Sequence, residues 1–351
     1  MQHTDNKAHS TVSDNRPPNC LGNVTEYSWA DAFYRKDIDA FLNIFDPRVT
    51  QSASTSPYIN YGSQEVAGTF QWASHFYQRC DFTHQASAHL IEFLEWDLTT
   101  ANNMHMTGMT VLTKDPKGKV IKVFNGHRNL TETVIFPEHF VKGPTGKGTV
   151  ALFHKKALKK YGLDHQFPRN TLDFKATSDV SEAAYIDAFR SGLSSEFINL
   201  LADDVELSGS YVANTLKGKN RVSHCMGLVA NFYEHCTFTT QATEGNRTYL
   251  LYRGRLRNGM VISDGFLILV RNASGQITEI MDNPIPMHAG TLISAYLAAH
   301  HDDKAFAEQF FYHEKLFAKA VSRYSLDGVY GDKTRDLSSI KGFLAHFFIQ
   351  V

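Results

Sequence analysis

FYQRCDFTHQA, residues 76–86, returns as FYEHCTFTTQA at residues 232–242, 156 positions later. The same spacing holds outside the phrase. It pairs Asp31-Ala32-Phe33 with Asp187-Ala188-Phe189, Phe41 with Phe197, Asn43 with Asn199, Val49 with Val205, Gly62 with Gly218 and Val66 with Val222. From Glu26 to Ala86 about 18 of about 61 ungapped positions are identical, against roughly four expected by chance. A period this long is that of a whole domain, so the chain reads as two homologous domains in tandem, and 351 residues accommodate them.

Composition supports two ordinary cores: 42% of residues are hydrophobic and 12% aromatic. A net charge of -1 supplies no field to draw nucleic acid or an anionic membrane, so neither is expected as a partner. The lysines at 155, 156, 159 and 160 read as a solvated helix face. Cys80 and Cys236 fall at equivalent positions and read as small buried hydrophobes, and no CxxC pair suggests zinc. Residues 1–22 are polar, contain Pro17-Pro18 and lack an apolar segment, which predicts a disordered N-terminus, no signal peptide or anchor, and cytoplasmic residence.

Apolar spacing predicts helical sequence over Tyr27–Phe45, closed by Pro47, and a helix over Ser63–Cys80. Strands follow at Val49–Ser54, Asp81–Leu94, His105–Thr113 and Val120–Leu130. The second half repeats the order, with helices at Glu182–Leu201 and Lys219–Cys236. Its strands are Thr237–Thr243, Thr248–Leu256, Met260–Val270 and Gln276–Met281, with turns at Asn258-Gly259 and Ala273-Ser274-Gly275. Helices first and a strand meander after define an α+β domain. The expected organisation is a first domain at 23–135, a linker with a basic helix at 136–179, a second domain at 180–288 and a helical C-terminal extension at 289–351. The glycine-rich run Gly143–Gly148 does not match a phosphate-binding loop and reads as linker.

This element order, with AYIDAFRSG and FINLLADDVELSGS in 184–210, LKGKNRV in 216–222, DGFLILVRNASGQITEIMDN in 264–283 and WADAFYRKDIDAFLNIFDPRV in 29–49, resembles the nuclear transport factor 2-like superfamily. The resemblance is to its SnoaL-like branch of polyketide cyclases, ketosteroid isomerases and scytalone dehydratases. It implies two tandem cone-shaped α+β barrel domains, each a curved antiparallel sheet wrapped around helices and a deep apolar pocket. Joined through their sheets they form an intramolecular pseudo-dimer, and the fold allows further homo-oligomerisation.

On a strand otherwise rich in apolar residues, Asp264 is the candidate acid/base, because a carboxyl in an apolar pocket has a raised pKa. Asp264-Gly265-Phe266 followed by Gly275-Gln276-Ile277 resembles the cyclase pattern. The resemblance to ketosteroid isomerase makes Tyr185 its oxyanion-hole partner, although Ser208-Gly209-Ser210 stands where the isomerase has its proton-abstracting Asp. In the first domain Trp29 replaces Tyr185, and Asn125 reads as the counterpart of Asp264. His84, His89, His105 and His127 offer groups that titrate in a useful range, but Phe33-Tyr34 and Gln85 stand where scytalone dehydratase carries catalytic residues. Gln85 and Gln241, identical across the repeat, either orient a ligand or bridge the domains. The expected substrate-binding set is Gln241, Gln85, His84, His105 and Trp29. No metal cluster, nucleophile elbow or dinucleotide motif occurs, so no cofactor is implied. The expected function is cofactor-independent acid/base chemistry (cyclisation, isomerisation or dehydration) on a small apolar carbonyl-bearing molecule. The alternative is a non-catalytic binding or assembly protein.

Overall fold

The computed structural model describes residues 16–55, 59–100, 103–128, 159, 173–257, 262–285 and 287–302. The glycine-rich run, most of the basic helix candidate, the Asn258-Gly259 turn and the chain beyond 302 lie outside them.

In the first half the order is α1 (Tyr27–Arg35), α2 (Ile38–Ile44), β1 (Phe45–Ala53), β2 (Asn60–Tyr61), α3 (Ser63–Phe76), β3 (Tyr77–Ala88), β4 (Ile91–Thr100), β5 (His105–Lys114) and β6 (Val120–His127). After β7 (Asp173–Ala176) the order recurs as α4 (Ala183–Ser191), α5 (Ser194–Ile198), β8 (Leu201–Gly209), β9 (Leu216–Lys217), α6 (Lys219–Phe232), β10 (Tyr233–Glu244), β11 (Arg247–Leu256), β12 (Ile262–Arg271) and β13 (Ile277–Ile285), ending with α7 (Met287–His300). The first sheet runs β2-β1-β6-β5-β4-β3, and the second β9-β8-β13-β12-β11-β10-β7. The fold is two tandem α+β domains. Both sheets are open, so neither closes into a barrel: α1, α2 and α3, and their counterparts, fill the concave side that closure would have to enclose. Nor are they wholly antiparallel, since β1 runs parallel to β6 and β8 to β13.

Local sequence explains the elements. Gln85 Oε1 accepts from the backbone N–H groups of Thr25 and Glu26 at 2.6 and 2.9 Å, and Gln241 Oε1 from those of Ser181 and Glu182 at 2.8 and 2.9 Å. Each glutamine thus secures the start of the helix that carries Trp29 or Tyr185. Glu26 and Glu182 then cap those helices, and each is clamped by a cation from the neighbouring sheet, Lys114 and Arg271. Strands β3 and β10 shift register at equivalent places, between Phe82 and His84 and between Phe238 and Thr240. A shift of this kind bends the strand, so the sheet curves around its helices.

Two departures concern the chain ends of each unit. Residues 16–22 are ordered: the Asn19 amide donates to the carbonyls of Ala30 and Cys80, and Cys20 bridges to Phe82. The equivalent stretch of the second half is β7, which pairs with β10. The first lies in the expected disordered N-terminus (1–22) and the second in the expected linker (136–179), because both segments are too short to show a strand period. Asp81–Leu94, read as one strand, is the β3–β4 hairpin, turning at His89 in a left-handed conformation with φ 52°.

The outward faces of the two sheets pack on each other through Ala86, Phe93, Met109, Val111 and Phe124 of one half and Tyr249, Leu251, Phe266, Ile268 and Met281 of the other. Phe93 and Tyr249 are repeat equivalents, and their rings meet at 5.5 Å, as expected on a pseudo-twofold axis. Gly126 leaves room for this approach, since a Cβ there would lie 2.4 Å from the ring of Phe266. Buried Glu95 accepts from Arg247 at 2.9 Å and from the Tyr249 hydroxyl at 2.7 Å, across the interface. No helix among the described residues is long and apolar enough to cross a membrane.

Candidate functional site

Strand alternation decides which side chains enter each cup. On β12, Leu267 and Leu269 join the inner core of the second domain, whereas Phe266 and Ile268 face the first. Asp264 shares the phase of Phe266 and so points out of the cup. Its carboxylate lies 3.3 Å from Lys122 of the first domain and 3.3 Å from Arg253, with a quarter of its side chain exposed. The desolvation on which its acid/base role depended is missing. Asp264 is a cross-domain ion-pair residue.

The carboxyl inside the second cup is Asp282, on β13 in phase with Ile280 of the inner core. It retains 3% of its surface. Oδ1 accepts from the Tyr252 hydroxyl at 2.7 Å and Oδ2 from the Tyr211 hydroxyl at 3.0 Å. Burial pushes its pKa up to about 6, and these two hydrogen bonds hold it from rising further. The neighbouring backbone is pressed close. A Cβ on Gly209 would lie 2.0 Å from the Asp282 carbonyl oxygen, and one on Gly265 would lie 2.2 Å from the Tyr252 ring. Glycine at these two positions lets β8 and Tyr252 close around the acid.

Two further tyrosines complete the surroundings. Tyr185 of α4 and Tyr233 of β10 are fully buried, and burial together with the Asp282 charge raises both phenols well above their ordinary range. The Tyr185 hydroxyl has no hydrogen-bond partner among the described residues. Its ring is held by Phe189 and Phe197 at 6.1 and 5.7 Å. A buried donor left without an acceptor costs about 1–3 kcal/mol, so a fold that keeps one invites an acceptor from outside. Helix α7 packs on this core through Leu292, Ile293 and Tyr296, the last stacked on Phe232 at 4.7 Å.

The sheet registers set the equivalence of the two cups. Asn125 pairs with Ala53, and Asp282 with Gly209, 156 residues after Ala53. Asn125 is therefore the counterpart of Asp282, and Asp264 corresponds to Thr107, opposite Asp97 as Asp264 is opposite Arg253. Local similarity misleads here: Asn125-Gly126 looks like Asp264-Gly265, but Asp264 lies on β12, the counterpart of β5, and the strand equivalent to β6 is β13, which carries Asp282-Asn283. In the first cup Trp96 Nε1 donates to Thr110 Oγ1, which donates to Asn125 Oδ1 at 2.7 Å.

The remaining candidates are dispersed. Trp29 is packed among Phe33, Phe41, Phe45 and Phe70, with ring centroids 4.9–6.1 Å away. His84 sits opposite Glu95 and bonds Thr83; His105 is exposed and meets Asp97 at 2.8 Å. Gln85 and Gln241 do not bridge the domains: both side-chain oxygens are taken by the helix starts of their own domains, and the Gln85 amide donates to Glu92. Of the expected set, only Tyr185 lies beside the buried acid, while Asp282, Tyr211, Tyr233 and Tyr252 were not singled out. The available signal was an acid at an inward phase of β13. Among the described residues no three His, Cys, Asp or Glu side chains gather to hold a metal ion.

No family model and no curated protein matches the sequence. Solved structures that resemble it include a protein of cystatin-like fold from Silicibacter pomeroyi, at 22% identity over 34% of this chain and 83% of that one, with a TM-score of 0.30. A steroid delta-isomerase from Pseudomonas aeruginosa matches at 15% identity over 30% and 77%, with a TM-score of 0.28. A provisionally assigned SnoaL-like polyketide cyclase from Shewanella denitrificans matches at 12% over 28% and 83%, with a TM-score of 0.25. Each likeness spans about a third of the chain.

Proposed function

We infer that the second domain is a cofactor-independent acid/base catalyst acting on a small apolar carbonyl-bearing molecule. The supporting observation is the buried Asp282 carboxyl, poised near pH 6, beside a tyrosine hydroxyl that has no acceptor. A base with such a pKa is largely ionised at neutral pH yet returns its proton readily.

In the proposed chemistry Asp282 takes a proton from the carbon next to the substrate carbonyl. The electron pair moves onto the carbonyl oxygen, where the Tyr185 O–H stabilises the developing charge. Returning the proton to another carbon gives isomerisation; loss of a hydroxyl gives dehydration; attack on a second carbonyl gives ring closure. Tyr252 and Tyr211 fix the carboxyl plane and act through it. Because Asp282 keeps so little surface, a substrate reaches it only by displacing side chains that now cover it.

The test is Asp282→Asn in the full chain, assayed against a panel of apolar ketones and enones for solvent deuterium incorporation next to the carbonyl. Exchange by the wild type, lost about 1000-fold or more in the variant while ligand affinity holds within a fewfold, supports the reading. A ligand bound by the wild type but never exchanged favours the non-catalytic alternative.

A further inference from the structure

Beyond its contact with the first domain, the outward face of the second sheet carries an open groove of about 530 Å³. It is lined by His235, Thr237 and Thr239 of β10 and by Arg253, Gly254 and Arg255 of β11. Strand alternation places the side chains: Cys236, Phe238 and Tyr252 join the inner core, so His235, Thr237, Arg253 and Arg255 point outward. The register sets Thr237 opposite Arg253 and His235 opposite Arg255. Thr237 Oγ1 and His235 Nε2 lie 3.0 Å apart on the floor of the groove. Gly254 faces inward, where a Cβ would lie 2.6 Å from the Tyr233 ring, so the groove backs directly onto the core of the cup.

Both guanidinium groups keep donors for a ligand. Arg253 turns Nε toward Asp264 at 3.3 Å and Arg255 turns Nε toward Glu234 at 3.1 Å, with 66% and 51% of their side chains still exposed. Asp264 is shared with Lys122, also at 3.3 Å, which leaves that trio with an excess positive charge. Exposed ion pairs hold weakly, so an anion can compete for the guanidinium N–H groups. Lys175 of β7, exposed and opposite Thr237, adds a cation at the end of the same row. Alternate residues of a strand stand about 6.7 Å apart, a gap that one tetrahedral oxyanion spans by accepting N–H···O bonds of about 2.8 Å from a fork on either side.

The first domain has the same frame with the opposite charge. At the positions 156 residues earlier, Asp97 stands for Arg253 and Asp81 for Thr237, and the two aspartates face each other in the same register. Asp81 is held by Arg79, and Asp97 meets His105. Facing carboxylates repel an anion, so the groove's chemistry belongs to the second repeat alone.

We propose that this groove is a binding site for a phosphate group, free or at the end of a small molecule, gripped by the Arg253 and Arg255 forks above Thr237. It lies on the opposite face of the sheet from Asp282 and stands independently of the activity inferred for that acid.

The test is an amide NMR titration of the full-length protein with inorganic phosphate and with phenyl phosphate. In about 150 mM chloride, which screens long-range attraction, saturable shifts are expected at residues 235–239 and 253–255 with a Kd of about 1 mM or below. The equivalent residues 79–83 and 97–99 should stay still. Tighter binding of phenyl phosphate identifies an esterified ligand, and equal or tighter binding of inorganic phosphate identifies the free ion. Arg253→Gln should weaken binding about tenfold or more, whereas Asp264→Asn, which removes the competing carboxylate, should tighten it about threefold. Absence of saturation by about 20 mM phosphate, shifts of equal size on the first domain, or an affinity that Arg253→Gln leaves unchanged overturns the proposal.

Discussion

Replacing Asp282 by Asn should abolish one specific pH dependence of stability. In the unfolded chain the carboxyl titrates near 3.8; in the folded protein burial raises it to about 6. An acid whose folded pKa is raised is stabilising in its protonated form, so its contribution is fully present below about pH 4 and is lost as pH rises through about 6. The loss is about 3 kcal/mol, from 1.36 kcal/mol per pH unit, and is complete above about pH 7. Other carboxylates titrate over the same range, but they are shared by wild type and variant and cancel in the difference. The assay is urea unfolding of both proteins between pH 4 and 7, followed by near-ultraviolet dichroism. The variant should gain on the wild type by about 3 kcal/mol as pH rises across that window. A difference that stays flat would refute the placement of an ionisable, desolvated acid at this position.

Breaking the cross-domain cluster by Glu95→Gln leaves Arg247 facing a neutral amide, and should cost about 2–4 kcal/mol in chemical unfolding. Gly126→Leu should force the sheets apart at Phe266 and Asn283, lowering stability by about 1–3 kcal/mol or more and exposing both halves to limited proteolysis. Asp264→Asn, by contrast, touches a partly exposed ion pair and should change stability by less than about 1 kcal/mol, with deuterium exchange on substrate unchanged. Gln241→Ala should cost about 1–2 kcal/mol by uncapping α4, and any loss of turnover should be restored by Gln241→Glu, which keeps an acceptor for the same backbone N–H groups.

The repeat made the architecture legible because packing acts on every turn of it: Phe76-Tyr77 and Phe232-Tyr233 mark the same passage from helix to strand in both halves. The site was harder to read because one residue of slip in a strand reverses inside and outside. Asp264 sits in an apolar stretch and looks buried, yet that stretch is apolar on both faces, one packing its own core and the other packing the first domain. Asp282 was missed because the expected strand, Gln276–Met281, stops one residue short of it, whereas the strand continues to Ile285. Gln85 and Gln241 show a related difficulty. Their identity across the repeat was visible, but their partners are main-chain N–H groups about 60 residues away, which no local pattern announces.

The most direct test of the account is a carbon-13 NMR titration of aspartate carboxyls in the full-length protein, assigned by substitution. One resonance should inflect near pH 6, persist in Asp264→Asn and vanish in Asp282→Asn. An inflection near 6 that disappears with Asp264, or an Asp282 resonance titrating near 3.8, would contradict it.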